Sequence, residues 1–286
     1  MRQNSITFLL SFFLTLGLLA QTDSTALYKR RKKTLFLLQS TGYVGSMSGL
    51  YFLWYKPYRT TNFHYFNDND EWHKVDKVGH ALTAYQVGRY SYNWYKWANF
   101  NENKSIWLGG LTGFIYLTTV EVFDGFSDGW GFSYGDMLAN TAGAFGFVAQ
   151  QKYWKEQRIA LKFSFHQTVY ANQNPELLGE NLLQQSLKDY NGQTYWLSLN
   201  IYSFFKESKF PKWLNMAFGY GAEGMVSATT PDSYKQYYFS LDIDLWRIKT
   251  KSKFVNSIFK SVGFIKIPAP AVELSRGKVH FRALYF

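Results

Sequence analysis

Three short stretches hold the residue types that chemistry needs. They are Asp76-Lys77-Val78-Gly79-His80, Glu121-Val122-Phe123-Asp124 and Asp136-Met137-Leu138-Ala139-Asn140. In each, polar side chains recur three or four residues apart inside an apolar, helix-like run. On a helix that spacing puts both members on one face, so the three sets can converge between packed helices. One chemistry that suits them is acid–base catalysis, with His80 oriented by Asp76 or Glu121 and acting on a lipid or a glycan. A second is cation binding, to which Asp124, Asp136 and Asn140 bring oxygen ligands. With one imidazole among carboxylates, an ion of the Mg or Ca type is expected in preference to zinc. The third possibility is a purely structural network in which Lys77, Asp76, His80, Glu121 and Asp136 lock the helices together. Separate solvated caps are the fourth. No serine elbow or phosphate-cradling glycine loop, and no Glu-x-x-His of carboxylate-bridged bundles, narrows the choice.

Positioning these residues requires helices over about 71–97, 105–123 and 134–153. Asp70 is the expected N-cap of the first, at the end of Asn67-Asp68-Asn69-Asp70, which lacks the glycine and terminal glutamate of a calcium loop. Gly109, Gly110 and Gly113 give the second a smooth face. Ser133 is the expected N-cap of the third, with Asp136 as the acidic member of a capping box. Ala139, Gly143 and Gly146 allow close approach there. An earlier uncharged run, 34–55, follows the basic block Lys29-Arg30-Arg31-Lys32-Lys33. Its length suits a membrane span, but its serines, threonines and glycines favour a helix packed in a bundle that touches the membrane.

The order Asp-Lys-x-x-His, Glu-x-x-Asp, Asp-x-x-x-Asn-x-x-Gly resembles the YfiM-like family of uncharacterised bacterial envelope proteins, and more distantly the VanZ-like membrane proteins. The matching positions are Asp76, Lys77, His80, Glu121, Asp124, Asp136, Asn140 and Gly143, within about 70–155. The resemblance implies an envelope location and no particular activity. Family members that are lipoproteins carry an N-terminal cysteine, which this chain lacks.

Composition points the same way. Aromatics make up 20% of the 286 residues, and 31 basic against 20 acidic residues give a net charge of +11. Tyrosine and tryptophan favour surfaces that are apolar on one side and wet on the other. A basic chain without a nucleic-acid fold motif suits an anionic membrane surface or an envelope protein partner, and not nucleic acid. Arg2, the apolar run 6–19 and Ala20 read as an export signal over 1–20, with an uncleaved anchor as the alternative. There is no cysteine, which excludes disulfides and thiolate metal sites.

Beyond about Arg158 the period becomes two: Ile159, Leu161, Phe163 and Phe165; Tyr195, Leu197, Leu199 and Ile201; Tyr237, Phe239, Leu241, Ile243 and Leu245. Such alternation marks half-buried strands. Stretches 216–222 and 279–285 are weaker strands, and 252–263 is a short amphipathic segment. The expected fold is α+β: about four small-residue-rich helices in 21–155, then an antiparallel, aromatic-rich β region in 156–286, as an open sheet or partial barrel. The expected role is a membrane-associated structural or assembly component of the outer membrane or periplasm. The alternative is a cation- or acid–base-dependent enzyme of envelope lipid or cell-wall substrates.

Overall fold

Small residues decide how the helical half packs. The computed structural model describes residues 24–286, and the export signal expected at 1–20 lies outside the described residues. The chain enters through α1 (Ser24–Leu50), which unwinds through a π-helical turn at Tyr51–Tyr55. It then builds α2 (Val75–Trp97), α3 (Glu102–Gly125) and α4 (Tyr134–Tyr153). A Cβ on Gly113 would strike the Ala84 carbonyl of α2, and one on Gly143 would strike that of Ala81. These glycines let the three helices close on one another, with Ala84, Leu117 and Ala144 packed between them. Of the described helices only α3 is long and apolar enough to cross a bilayer, and part of it is buried. Its glycines pack against α2 and α4, while Trp107, Leu111 and Ile115 stand exposed on it.

The helix ends follow the sequence with two corrections. Ser133 caps α4 by accepting the Asp136 N–H at 3.1 Å, and Asn101 caps α3 by accepting the Lys104 N–H at 2.8 Å. Asp70 does not cap α2. It is exposed, and the helix begins only at Val75, after a short turn in which Trp72, His73 and Lys74 have φ of 47°, 50° and 64°. Three consecutive left-handed residues other than glycine are strained and need external support. The β region supplies it: Trp72 N–H donates to the Ala228 carbonyl, and the Tyr220 hydroxyl donates to that of His73. The second correction concerns the basic block 29–33, which lies inside α1 and does not precede it. Much of α1 is exposed, and Leu35 anchors it against Tyr95 and Ala98.

The β half is one antiparallel meander in chain order: β1 (Ile159–Phe165), β2 (Gln193–Asn200), β3 (Leu214–Glu223), β4 (Tyr234–Ile243), β5 (Ala269–Ser275) and β6 (Lys278–Tyr285). Short helices α5 (Pro175–Leu178) and α6 (Leu182–Lys188) fill the β1–β2 connection. α7 (Ile201–Phe204) follows β2, and the amphipathic α8 (Lys253–Val262) precedes β5. Part of the sheet joins the bundle in a common core, where Trp72, Val75 and Leu82 meet Tyr195, Ala222 and Met225.

The rest of the sheet is inside out. In β4, Gln236, Tyr238, Ser240 and Asp242 are buried, while Tyr237, Phe239 and Leu241 are exposed. In β5, Glu273 and Ser275 are buried and Val272 and Leu274 exposed. The sheet curls around the polar face, so that Tyr285 of β6 stacks on Tyr238 and bonds to Thr194 of β2. Inside, Lys162 meets Asp242 at 2.7 Å with both side chains out of solvent, and Asp242 also accepts from Ser198 at 2.6 Å. Paired and hydrogen-bonded, these charges are stable there.

Candidate functional site

The polar motifs meet where α2, α3 and α4 face one another. Lys77, in the first turn of α2, directs Nζ at three carboxylates: Asp68 at 2.6 Å, Asp76 at 2.9 Å and Asp136 at 2.9 Å. An ammonium has three donors, so this one is fully engaged. Ser133 ties the loop to two helices. Its hydroxyl donates to Asp68 at 2.6 Å, and its N–H donates to Glu121 Oε2 at 3.2 Å. The reciprocal half of the capping box thus comes from Glu121 on the neighbouring helix, and Asp136 keeps its carboxylate for the centre.

His80 lies one turn further along α2. Its Nδ1 is 3.1 Å from Asn140 Oδ1 and 3.3 Å from Glu121 Oε1, while Nε2 is 3.8 Å from Asp136 Oδ1. The amide oxygen can only accept, so Nδ1 is the donor to Asn140, and Nε2 is left facing Asp136. Glu121 and Asn140 are wholly buried. Four atoms here, Asp76 Oδ1, Glu121 Oε1, Asp136 Oδ1 and Asn140 Nδ2, have no hydrogen-bond partner.

Five acids (Asp68, Asp76, Glu121, Asp124 and Asp136) therefore share one lysine and one histidine, and their protonation reflects it. Burial, together with the charges of Asp136 and Asp124, pushes Glu121 up to about 9. Burial also pushes Asp124 up to about 7, against a hydrogen bond from Tyr55. Asp76 and Asp136 are likewise raised by burial although Lys77 opposes it. Asp68 alone among these acids is lowered: burial works against its charge, but the bonds from Lys77 and Ser133 outweigh it. Lys77 is raised, burial losing to the charges of Asp76 and Asp136.

The cluster is reached from a cavity of about 680 Å³ whose lining includes Asp76, His80, Asp124 and Asp136, with aromatic walls from Trp54, Tyr58 and Trp130. A polar end under an aromatic rim suits an amphiphile. A second cavity, about 720 Å³, lies beside Arg89 and Trp246 and has none of these acids in its lining.

All the residues singled out in the sequence come to this region, in an order the sequence did not give. Of the set assigned to catalysis, His80 and Glu121 face each other, whereas Asp76 turns to Lys77. Of the set assigned to a cation, Asp136 is central, Asn140 holds His80, and Asp124 stands apart against Tyr55. Asp68 was missed as a member. It sits in a loop of alternating Asn and Asp with no helical period, so only the three-dimensional fold singles it out. Ser133 carries a visible cap signal, but its bonds to Glu121 and Asp68 are tertiary.

Residues 64–150 match the family model described as a predicted periplasmic lipoprotein (DUF2279). The match covers less than a third of the chain and contains every residue of the cluster. Its description supports an exported, periplasmic, membrane-associated protein of an uncharacterised family, and extends neither to the YfiM and VanZ names nor to the outer membrane. Lipid attachment of that kind needs a cysteine, and none occurs among the 286 residues. No curated protein and no solved structure matches the chain.

Proposed function

We propose that this protein is a membrane-associated structural component of the cell envelope, with the apolar outer face of its sheet against the lipid of the outer membrane. The observation that carries this is the inverted burial of the sheet. Leu197, Phe218, Phe239, Leu241, Val272 and Phe281 are all more than two-fifths exposed, while charged and amide side chains fill the enclosed side. In water an apolar face of this extent costs free energy at roughly 25 cal/mol per Å². Against lipid the cost disappears, and the polar-in, apolar-out alternation is that of membrane-embedded strands. The net charge of +11 and the α8 helix, with Phe254 exposed between Lys253 and Lys260, support an anionic surface. The aromatic-walled cavity beside the acid cluster supports a lipid or an envelope partner as its occupant.

Vesicle flotation tests the reading. The purified full-length chain floats with phosphatidylglycerol-containing vesicles, and Phe218→Asp/Phe239→Asp/Leu241→Asp, changed on exposed positions, stays at the bottom with its circular dichroism unchanged. Flotation that survives these three changes would contradict it.

One observation favours a second reading, an enzyme acting on an envelope lipid or glycan: His80 lies on the cavity lining with Nδ1 held by Asn140 and Nε2 toward Asp136. Turnover of envelope lipids or glycans by the purified chain, lost in His80→Ala, supports it; turnover unaffected by the change removes these residues from the reaction.

A further inference from the structure

We propose that His80, Glu121 and Asp136 form a binding site for one divalent cation of the manganese–zinc class. The three residues each offer one ligand atom, and these atoms lie within 4.8 Å of one another. Ligands on a small ion, at bonds of about 2.1 Å, stand roughly 3 to 3.5 Å apart. The set therefore closes onto an ion with a movement of about an ångström.

Two carboxylate oxygens point into this space without a hydrogen bond. Glu121 Oε1 belongs to a side chain with no solvent exposure, and Asp136 Oδ1 to one only 7% exposed; neither accepts a hydrogen bond, and each faces the His80 ring, at 3.3 and 3.8 Å. A buried acceptor without a hydrogen bond is costly, more so when charged. Lys77 cannot serve them, because its three donors are taken by Asp68, Asp76 and Asp136 Oδ2.

The same centre contains its own comparison. Asp68, Asp76 and Asp136 form a second triad whose ligand atoms are equally close, and there the Lys77 ammonium sits among the oxygens. Asp136 belongs to both triads, giving Oδ2 to the lysine and Oδ1 to the other group. One half of the acid centre thus has its built-in cation. The half around Glu121 has acids of the same kind and, in place of an ammonium, only the His80 imidazole.

The donor set selects the ion. Mg and Ca prefer all-oxygen shells, whereas a nitrogen with two carboxylates suits Mn or Zn, which moves the choice away from the Mg or Ca type expected from the acids alone. Asn140 completes the arrangement as a positioning residue: its Oδ1 holds Nδ1–H and leaves Nε2 to the ion.

The inference does not depend on where the protein sits in the envelope. Its test is calorimetric titration of the full-length chain, stripped with EDTA in mild detergent, with Mn, Zn, Mg and Ca ions separately. The expected result is one saturable site per chain for Mn or Zn, at least tenfold weaker Mg and Ca binding, and a higher melting temperature with the bound ion. His80→Ala and Glu121→Gln lose the site, Asn140→Ala weakens it by about 10- to 100-fold, and Asp70→Asn, at an exposed acid outside the cluster, binds as the parent does. If Glu121→Gln does not fold, His80→Gln takes its place. Absence of a saturable site in the parent, or unchanged affinity in the folded His80 variants, would overturn the proposal.

Discussion

Lys77 is the side chain on which the acid centre depends most. Among the described residues it is the one ammonium paired with these five acids, and it holds three of them within 2.9 Å. Truncating one member of a buried ion cluster leaves the others uncompensated and costs about 3–5 kcal/mol. Lys77→Met is therefore expected to lower stability by that order in chemical denaturation followed by helical circular dichroism, and addition of Asp76→Asn recovers part of it. Full stability in Lys77→Met would mean that the acids do not rely on this pairing. A second residue gives a pH signature. Lys266, enclosed by the sheet beside Asp242 and Lys162, is lowered by burial to about 8 from an ordinary 10.5. Between these values the unfolded chain binds more protons than the folded one, so this residue's contribution makes stability rise with pH from about 8 upward. The stability difference between the parent and Lys266→Met should shift in the parent's favour over that window and be flat below it. Asp76, His80, Glu121 and Asp136 were legible in the sequence because helical spacing groups them on inward faces; Lys77, next to Asp76, falls on another face by spacing and joins the centre through the reach of its side chain. Asp68 was not, since a loop has no period to read.

At the scale of elements, the closeness of α2, α3 and α4 does the positioning. Gly143 has no room for a side chain against the Ala81 carbonyl, one residue from His80. Gly143→Val forces α4 away from α2, at about 1–3 kcal/mol or more, and separates Asn140 from His80. A lower melting temperature is expected, and with it weaker Mn or Zn binding even where the variant folds; an unchanged melt would show that the helices can part without cost. The three bundle helices were readable from apolar runs, glycines and the Ser133 cap. The start of α2 was not. Asp70 has the chemistry of a cap, but the left-handed turn at Trp72–Lys74 is imposed by contacts with Ala228 and Tyr220 more than a hundred residues away. β5 was also hidden, because its first residues read as a loop: Ala269-Pro270-Ala271 carries little strand character on its own.

At the scale of the whole molecule, the alternation in the β half revealed the strands and left their inward face undecided. A period of two is the same whether water or lipid lies outside, and only the curl of the sheet around Asp242, Lys162 and Gln236 shows that the polar side is enclosed. The central claim is that the opposite, apolar side meets lipid. Because the chain has no cysteine, a single one introduced by Phe239→Cys can carry a fluorophore without a competing thiol, with Lys206→Cys, at an exposed position off the sheet, as reference. In vesicles, quenchers attached to the acyl chains should extinguish the label at 239 and spare that at 206, while aqueous iodide does the reverse. Iodide reaching both labels equally, with the lipid-borne quencher reaching neither, would contradict the account.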